Sequence, residues 1–300
     1  MWSKMGMIPM EFGKKEWMVS HAYIPTPLVQ KDNVRVYVAF WDKNKVGRIG
    51  YVDLDPEKNF KVTSISERPV LDTGIPGTFD DNGVSPTSLI SVANKLYLYY
   101  FGWQLGVRIR YTLYMGLAIS DDGGETFERI KPTPILERTP EELFIRSGGA
   151  VIRDEGKYKM WYAGGSEWRN IRGKMVPSYS LRYIESENGV AWANKSKVCL
   201  VPLENEIGFG RPAVLKEEGK YKMWYSIRSI NNSYTIGYGE SKDGIRWDRI
   251  DGQFGLQPSE SGWDSEMTAY AAVFEYGGKR YMLYNGNNFG AEGFGLAVWK

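Results

Sequence analysis

Lys157-Tyr-Lys-Met-Trp-Tyr-Ala163 occurs in five versions along the chain. The others are Val34-Arg-Val-Tyr-Val-Ala-Phe40, Lys95-Leu-Tyr-Leu-Tyr-Tyr-Phe101, Lys220-Tyr-Lys-Met-Trp-Tyr-Ser226 and Lys279-Arg-Tyr-Met-Leu-Tyr-Asn285. Their tyrosines Tyr37, Tyr97, Tyr158, Tyr221 and Tyr281 follow one another at intervals of 60, 61, 63 and 60 residues. Five such steps use up all 300 residues, so the repeat is the first thing to interpret.

Each unit has the same parts. A short apolar run comes first: Ile24–Val29, Val84–Ile90, Gly148–Ile152, Pro212–Leu215 and Tyr270–Phe274. A polar turn and the Tyr-rich strand follow, then a third strand: Arg48–Leu54, Leu113–Ser120, Ser180–Ser186, Tyr234–Ser241 and Phe294–Trp299. Three units then carry one turn motif: Ser120-Asp-Asp-Gly-Gly-Glu-Thr-Phe127, Ser186-Glu-Asn-Gly-Val-Ala-Trp192 and Ser241-Lys-Asp-Gly-Ile-Arg-Trp247. Asx side chains bond their own backbone and Gly accepts positive φ, which is hairpin chemistry. Helical periodicity is nearly absent, and only Pro140-Glu-Glu-Leu-Phe144 suggests a single turn.

Four strands in each of five regular units predict one domain over residues 1–300: an all-β, five-bladed β-propeller with four antiparallel strands per blade. The chain ends after the third strand of the last unit. An N-terminal strand is therefore expected to join the last blade and close the ring, removing an open edge. Lys15-Glu-Trp17-Met-Val19 is the candidate, its tryptophan matching Phe127, Trp192 and Trp247.

Bulk properties narrow the function. Hydrophobic residues make up 42% and charged residues 25%, ordinary for a globular chain with a core. Aromatics reach 14%, including 20 Tyr and 11 Trp, which suits both sheet packing and carbohydrate contact. A net charge of +2 gives no electrostatic case for nucleic acid or an anionic membrane as partner. No run approaches the ~20 apolar residues of a membrane span, and none in the first 18 residues has signal-peptide length. One cysteine, Cys199, rules out an internal disulfide, and together these features point to a cytoplasmic protein. The single histidine, His21, excludes HExxH and multi-histidine metal sites, and neither a P-loop nor a dinucleotide-binding glycine pattern is present. No cofactor or metal is expected.

In a propeller the first strand of each blade lies nearest the axis, and ligands meet the entry to those strands. Lining up the five entries gathers His21, Asp81, Asn82, Glu142, Glu206, Asp264 and Glu266. Two carboxylates whose environments split their pKa values can share acid and base roles. Asp81, in Phe79-Asp-Asp-Asn-Gly-Val84, and Glu266, in Gly262-Trp-Asp-Ser-Glu-Met267, are the candidate catalytic pair. Asp-Asp-Asn-Gly is also good turn chemistry in its own right. His21 suits ligand contact or proton transfer, and equally a structural role.

Arg146, Arg211 and Arg228 form a second cluster. Guanidinium groups hold carboxylates and phosphates, so three converging arginines would imply an anionic substrate; the alternative is that each pairs with a nearby acid. Trp168, Tyr270 and Asn285 are the further candidates for sugar contact, by stacking and by amide hydrogen bonds. Trp41 and Trp103 stand at the same strand ends as Trp168.

The repeat, carried by Lys95-Leu-Tyr-Leu-Tyr-Tyr-Phe101, Tyr158-Lys-Met-Trp-Tyr162 and Ser241-Lys-Asp-Gly-Ile-Arg-Trp247, resembles the five-bladed propeller glycosidases. These are glycoside hydrolase families 43, 32, 62 and 117 and the mannoside phosphorylases of family 130. The resemblance spans nearly the whole chain and implies a carbohydrate or glycoconjugate ligand. Family 43 opens the first strands of three blades with catalytic acids. The matched positions here hold Pro25, Thr87 and Ser147, so that trio does not carry over. Three readings remain: a glycosidase with relocated acids, a non-catalytic glycan-binding propeller, and a phosphorylase or sugar-nucleotide enzyme with an anionic substrate.

Overall fold

The structure, a computed structural model, describes residues 1–231 and 233–300. It is all-β, with two four-residue helices, α1 (Asp251–Phe254) and α2 (Asn287–Gly290). After β1 (Trp2–Pro9), the chain lays down successive antiparallel groups. β2 (Ser20–Val29), β3 (Val34–Trp41), β4 (Gly47–Asp55) and β5 (Lys61–Ile65) pair in order. β6 (Val84–Val92), β7 (Lys95–Leu105), β8 (Tyr111–Ser120) and β9 (Glu128–Arg129) do the same. So do β10 (Ile145–Asp154), β11 (Lys157–Ile171), β12 (Lys174–Ser186) and β13 (Lys197–Leu200). β14 (Glu206–Glu217), β15 (Lys220–Ser229), β16 (Tyr234–Ser241) and β17 (Asp248–Arg249) follow. β18 (Ala269–Tyr276), β19 (Lys279–Asn285) and β20 (Gly293–Trp299) come last. The Tyr-rich repeats are the second strands of these groups, and their apolar side chains are almost wholly buried.

The recurrent serine turns tie neighbouring groups together. Ser120, Ser186 and Ser241 Oγ accept the backbone N–H of Gly124, Gly189 and Gly244 at 2.8, 2.9 and 2.8 Å. The carbonyls of those glycines receive a side chain from the Tyr-rich strand of the preceding group. Tyr37 donates to Gly124 at 2.9 Å, Tyr99 to Gly189 at 2.8 Å and Trp161 to Gly244 at 2.6 Å. Each such buried bond contributes roughly 1 kcal/mol. The turn motif is therefore also a link between groups.

The N-terminal strand that joins the last group is Trp2–Pro9, not Lys15–Val19. It pairs antiparallel with β20 from Trp2–Trp299 to Pro9–Gly293, with a bulge between Lys4 and Gly6. Trp2 explains the choice. Its ring packs edge-on against Trp224 and Trp299, and its Nε1 donates to the Phe254 carbonyl at 3.1 Å. The Lys15–Met18 segment closes on itself as a tight turn, and Trp17 packs against Phe40 instead. Pro140–Phe144 likewise forms no helix; a bridge from Thr139 to Glu142 holds it as a turn.

The first strand of every group is bulged. Pairing shifts register between Tyr23 and Thr26, Pro86 and Ser88, Ser147 and Ala150, Gly210 and Ala213, and Ala269 and Ala272. Four of the bulges carry a residue with positive φ: Ile24 (54°), Gly148 (66°), Arg211 (32°) and Tyr270 (59°). Only one of the four is glycine. A β-branched residue such as Ile24 holds that geometry only when its surroundings impose it. Asn285 does so here, accepting the Ile24 N–H at 2.8 Å while donating to the Ala22 carbonyl at 2.9 Å. Ser226 does the same for the Tyr270 N–H at 2.7 Å. Bulges re-aim backbone groups, and these bulges turn carbonyls away from the ladders.

Candidate functional site

The re-aimed carbonyls converge on one side chain. Arg211, only 4% exposed, donates Nη1 to the carbonyls of Tyr270 (3.0 Å) and Ala271. Its Nη2 donates to the carbonyls of Pro25 (3.0 Å) and Thr87 (3.3 Å) and to Thr26 Oγ1 (2.9 Å). A β14 residue thus clamps the bulges of β2, β6 and β18. Pro25 and Thr87, two of the positions matched to catalytic acids, serve here as backbone acceptors. No carboxylate among the described residues pairs with this guanidinium, and burial pushes its pKa down to about 9. Its Nε is buried with no hydrogen-bond partner. Carbonyl dipoles solvate the charge without neutralising it, so a net positive charge remains buried here.

Above Arg211 opens a cavity of about 810 Å³. Aromatic rings dominate its wall. Tyr23 and Tyr270 stand edge to face at 5.2 Å, and Tyr234 meets Phe289 at 5.7 Å. Trp103 meets Tyr111 at 5.0 Å. Arg228 also lines the wall, lying 6.0 Å from the Tyr234 ring centroid and hydrogen-bonding Tyr179. Lys45 and Arg110 stand at the mouth. No Asp or Glu is among the described lining residues.

His21 stacks on Trp41 with ring centroids 3.7 Å apart, and its Nδ1 lies 2.8 Å from Ser20 Oγ. Desolvation is the main force lowering its pKa to about 4, aided by the Lys45 charge and opposed by a hydrogen bond to the Asn288 backbone. The imidazole is therefore neutral at physiological pH. With Trp41 it offers a flat, uncharged platform of the kind that meets a sugar ring.

Of the nine residues proposed from the sequence as catalytic or sugar-contacting, the cavity brings together His21, Arg211, Arg228 and Tyr270, and Asn82, Trp41 and Trp103, named beside them, line it too. The other five lie elsewhere. Asp81 accepts the Gly77 N–H at 2.8 Å, which is turn chemistry, and Glu266 is exposed. Neither lines the cavity. Arg146 is buried in an ion pair with Glu142 (3.2 Å) and also donates to Tyr162 Oη (3.1 Å). Trp168 packs on Phe144 behind the wall, and Asn285 is committed to the β2 bulge. Sequence reasoning did not single out Tyr111, Tyr179 and Tyr234. All three stand at or near the start of a third strand, the end that adjoins the entry of the first strands. That shared position was the available signal.

Among the described residues no three His, Cys, Asp or Glu side chains gather as a metal site, and no helix is long and apolar enough to cross a membrane.

No protein-family model matches the chain. The uncharacterized proteins MT1551 and Rv1502 of Mycobacterium tuberculosis are each 34% identical to it over 299 residues, 99% of this chain and 98% of theirs. The beta-1,2-mannobiose phosphorylase of Thermoanaerobacter sp. is 25% identical over 134 residues, 41% of this chain and 44% of its own. Among solved structures, a thermostable family-43 glycoside hydrolase superposes with a TM-score of 0.72 at 16% identity, covering 96% of this chain and 91% of that one. A structure from the GH130 family of mannoside phosphorylases, described as containing hydrolases that target beta-1,2 mannosidic linkages, superposes with a TM-score of 0.71 at 14% identity, covering 95% and 85%. The structural neighbours are glycoside hydrolase-like propeller enzymes, and at these identities the likeness concerns the fold.

Proposed function

This chain belongs to one family with the uncharacterized Mycobacterium tuberculosis proteins MT1551 and Rv1502, and from that footing we propose that it is a carbohydrate-active protein that binds an anionic glycoside or a glycoside together with phosphate. The architecture we propose is one five-bladed propeller over residues 1–300, with β1 completing the last blade. The cavity above Arg211 is its ligand site.

One observation carries this reading. A cavity rich in aromatic rings is floored by a guanidinium without a carboxylate partner and has no described acid in its wall. Rings stack on sugars, and the buried positive charge favours a negative group. The same observation selects among reactions. Hydrolysis by a carboxylate pair needs a base to activate water and an acid to protonate the leaving oxygen. Phosphate is already a nucleophile and needs only a cationic seat and one proton donor. We therefore favour phosphorolysis over hydrolysis, a choice that agrees with the partial similarity to the mannobiose phosphorylase. Arg228 would hold the phosphate over the buried charge of Arg211, the His21–Trp41 platform and Tyr270 would contact the sugar, and Tyr179 would supply the proton. The absence of an acid also favours a second reading, glycan binding without turnover.

The test is a panel of disaccharides, beta-1,2-mannobiose first, incubated with and without inorganic phosphate. A sugar 1-phosphate formed only when phosphate is present supports phosphorolysis. Cleavage at the same rate without phosphate overturns it, and binding of phosphorylated sugars with no cleavage of any glycoside selects the second reading.

A further inference from the structure

Three loops at the mouth of the cavity carry cations, and two of them also expose apolar side chains, which the ligand site does not explain. The β7–β8 tip carries Leu105, Val107, Arg108 and Arg110, with Leu105 62% and Val107 fully exposed. The β11–β12 hairpin runs far past its sheet to a tip at Arg172-Gly173, with Met175 57% exposed and Arg172 and Lys174 beside it. The β3–β4 loop adds Lys43 and Lys45. These tips lie on one side of the molecule. Lys45, Leu105 and Arg110 line the mouth, and Tyr111 at the base of one hairpin meets Trp168 of the other at 6.1 Å.

Charge at these tips has one sign. Residues 103–112 and 168–178 contain no Asp or Glu. Of the acids adjoining them in sequence, Glu167 lies on β11, and Asp42, in the β3–β4 loop, is engaged by Arg48 at 2.8 Å. Arg108, Arg110, Arg172, Lys174, Lys43 and Lys45 form no ion pair with a described residue. The net charge of +2 hides this bias because acids elsewhere balance it.

We infer that the cavity-mouth tips form a surface that docks on an anionic phospholipid bilayer. Exposed apolar side chains flanked by lysine and arginine match the bilayer interface. The apolar groups enter the headgroup boundary, and the cations meet the negative surface potential. An acidic protein partner would meet the same charge. The apolar residues, however, are few and split between two hairpins, Leu105 and Val107 on one and Met175 on the other, which suits a soft interface better than a packed one. Docked this way, the protein presents its cavity to the membrane surface. The inference rests on the loops and stands independently of the reaction proposed above.

Co-sedimentation of the full chain with vesicles tests it. Vesicles of phosphatidylcholine with phosphatidylglycerol should bind the protein, neutral phosphatidylcholine vesicles should bind it at least about tenfold more weakly, and added salt should weaken the binding. Val107→Asp and, separately, the pair Arg172→Glu and Lys174→Glu should each lower partition by about tenfold, with circular dichroism unchanged. Equal partition to both vesicles, no partition to the anionic ones, or anionic binding indifferent to both sets of substitutions would overturn the inference.

Discussion

Arg211 Nη2 donates to Thr26 Oγ1 across 2.9 Å, joining β14 to β2 although 185 residues separate them in sequence. Four carbonyls from three first strands complete the shell of this guanidinium. Arg211 is at once a fastener of the fold and the floor of the cavity. Replacing it with leucine leaves those oxygens buried without a donor, a loss we put at about 3 kcal/mol or more. Chemical denaturation of Arg211→Leu checks this, and a loss under about 1 kcal/mol would show that the shell contributes little.

His21 is the only histidine in the chain, so its imidazole resonances in a proton NMR titration need no assignment. Its pKa should fall at about 4 instead of the usual 6.5. Because the folded value is depressed, the unfolded chain takes up this proton first as pH falls. Stability attributable to His21 is therefore intact above about pH 6.5 and is lost progressively toward pH 4. A midpoint near 6.5 would place the imidazole in water and remove the platform on Trp41.

Tyr179 lines the cavity and is hydrogen-bonded to Arg228, which places its hydroxyl beside the proposed phosphate seat. Tyr179→Phe should lower phosphate-dependent turnover by about a hundredfold or more, while phosphate affinity changes by less than about threefold. Unchanged turnover would assign the proton to another group.

Asp81 and Glu266 separate the two chemistries. Neither lines the cavity, so Asp81→Asn and Glu266→Gln should each leave turnover within about threefold of the parent. A loss of several orders of magnitude in either variant would return the chemistry to a carboxylate pair.

β1 leaves a mark on stability. Deleting residues 1–9 removes the partner of β20 and bares the faces of Trp224 and Trp299 that Trp2 covers. The Tm should drop by about 5 °C or more, and the open edge should promote association. An unchanged Tm would mean that the strand is dispensable.

What could be read from the sequence divides along a physical line. Hydrophobic period, tyrosine spacing and Asx-Gly turns are local signals, and they located the second and third strands and the serine turns. The partner of β20 was misplaced because Trp17 and Trp2 both follow a strand-like pattern, and only the pocket between Trp224 and Trp299 distinguishes them. In the site, the entries of the first strands point to His21, Arg211 and Tyr270, and the end of a Tyr-rich strand to Arg228, all of which line the cavity. The bulges could not be foreseen. Ile24, Arg211 and Tyr270 hold positive φ through Asn285, Ser226 and the Arg211 shell, which are contacts distant in sequence, and no glycine marks them. Asp81 and Glu266 share a sequence position with cavity residues, but their side chains lie in a turn and on the surface.

The central claim is that the cavity, through Arg228 above the buried charge of Arg211, seeks a negative group on a sugar. Isothermal titration of the full-length protein with mannose 1-phosphate, and with mannose, tests it most directly. The phosphorylated sugar should bind at least about tenfold more tightly, and Arg228→Met should abolish that difference. Equal affinity for the two sugars, or a preference that survives Arg228→Met, would contradict the claim.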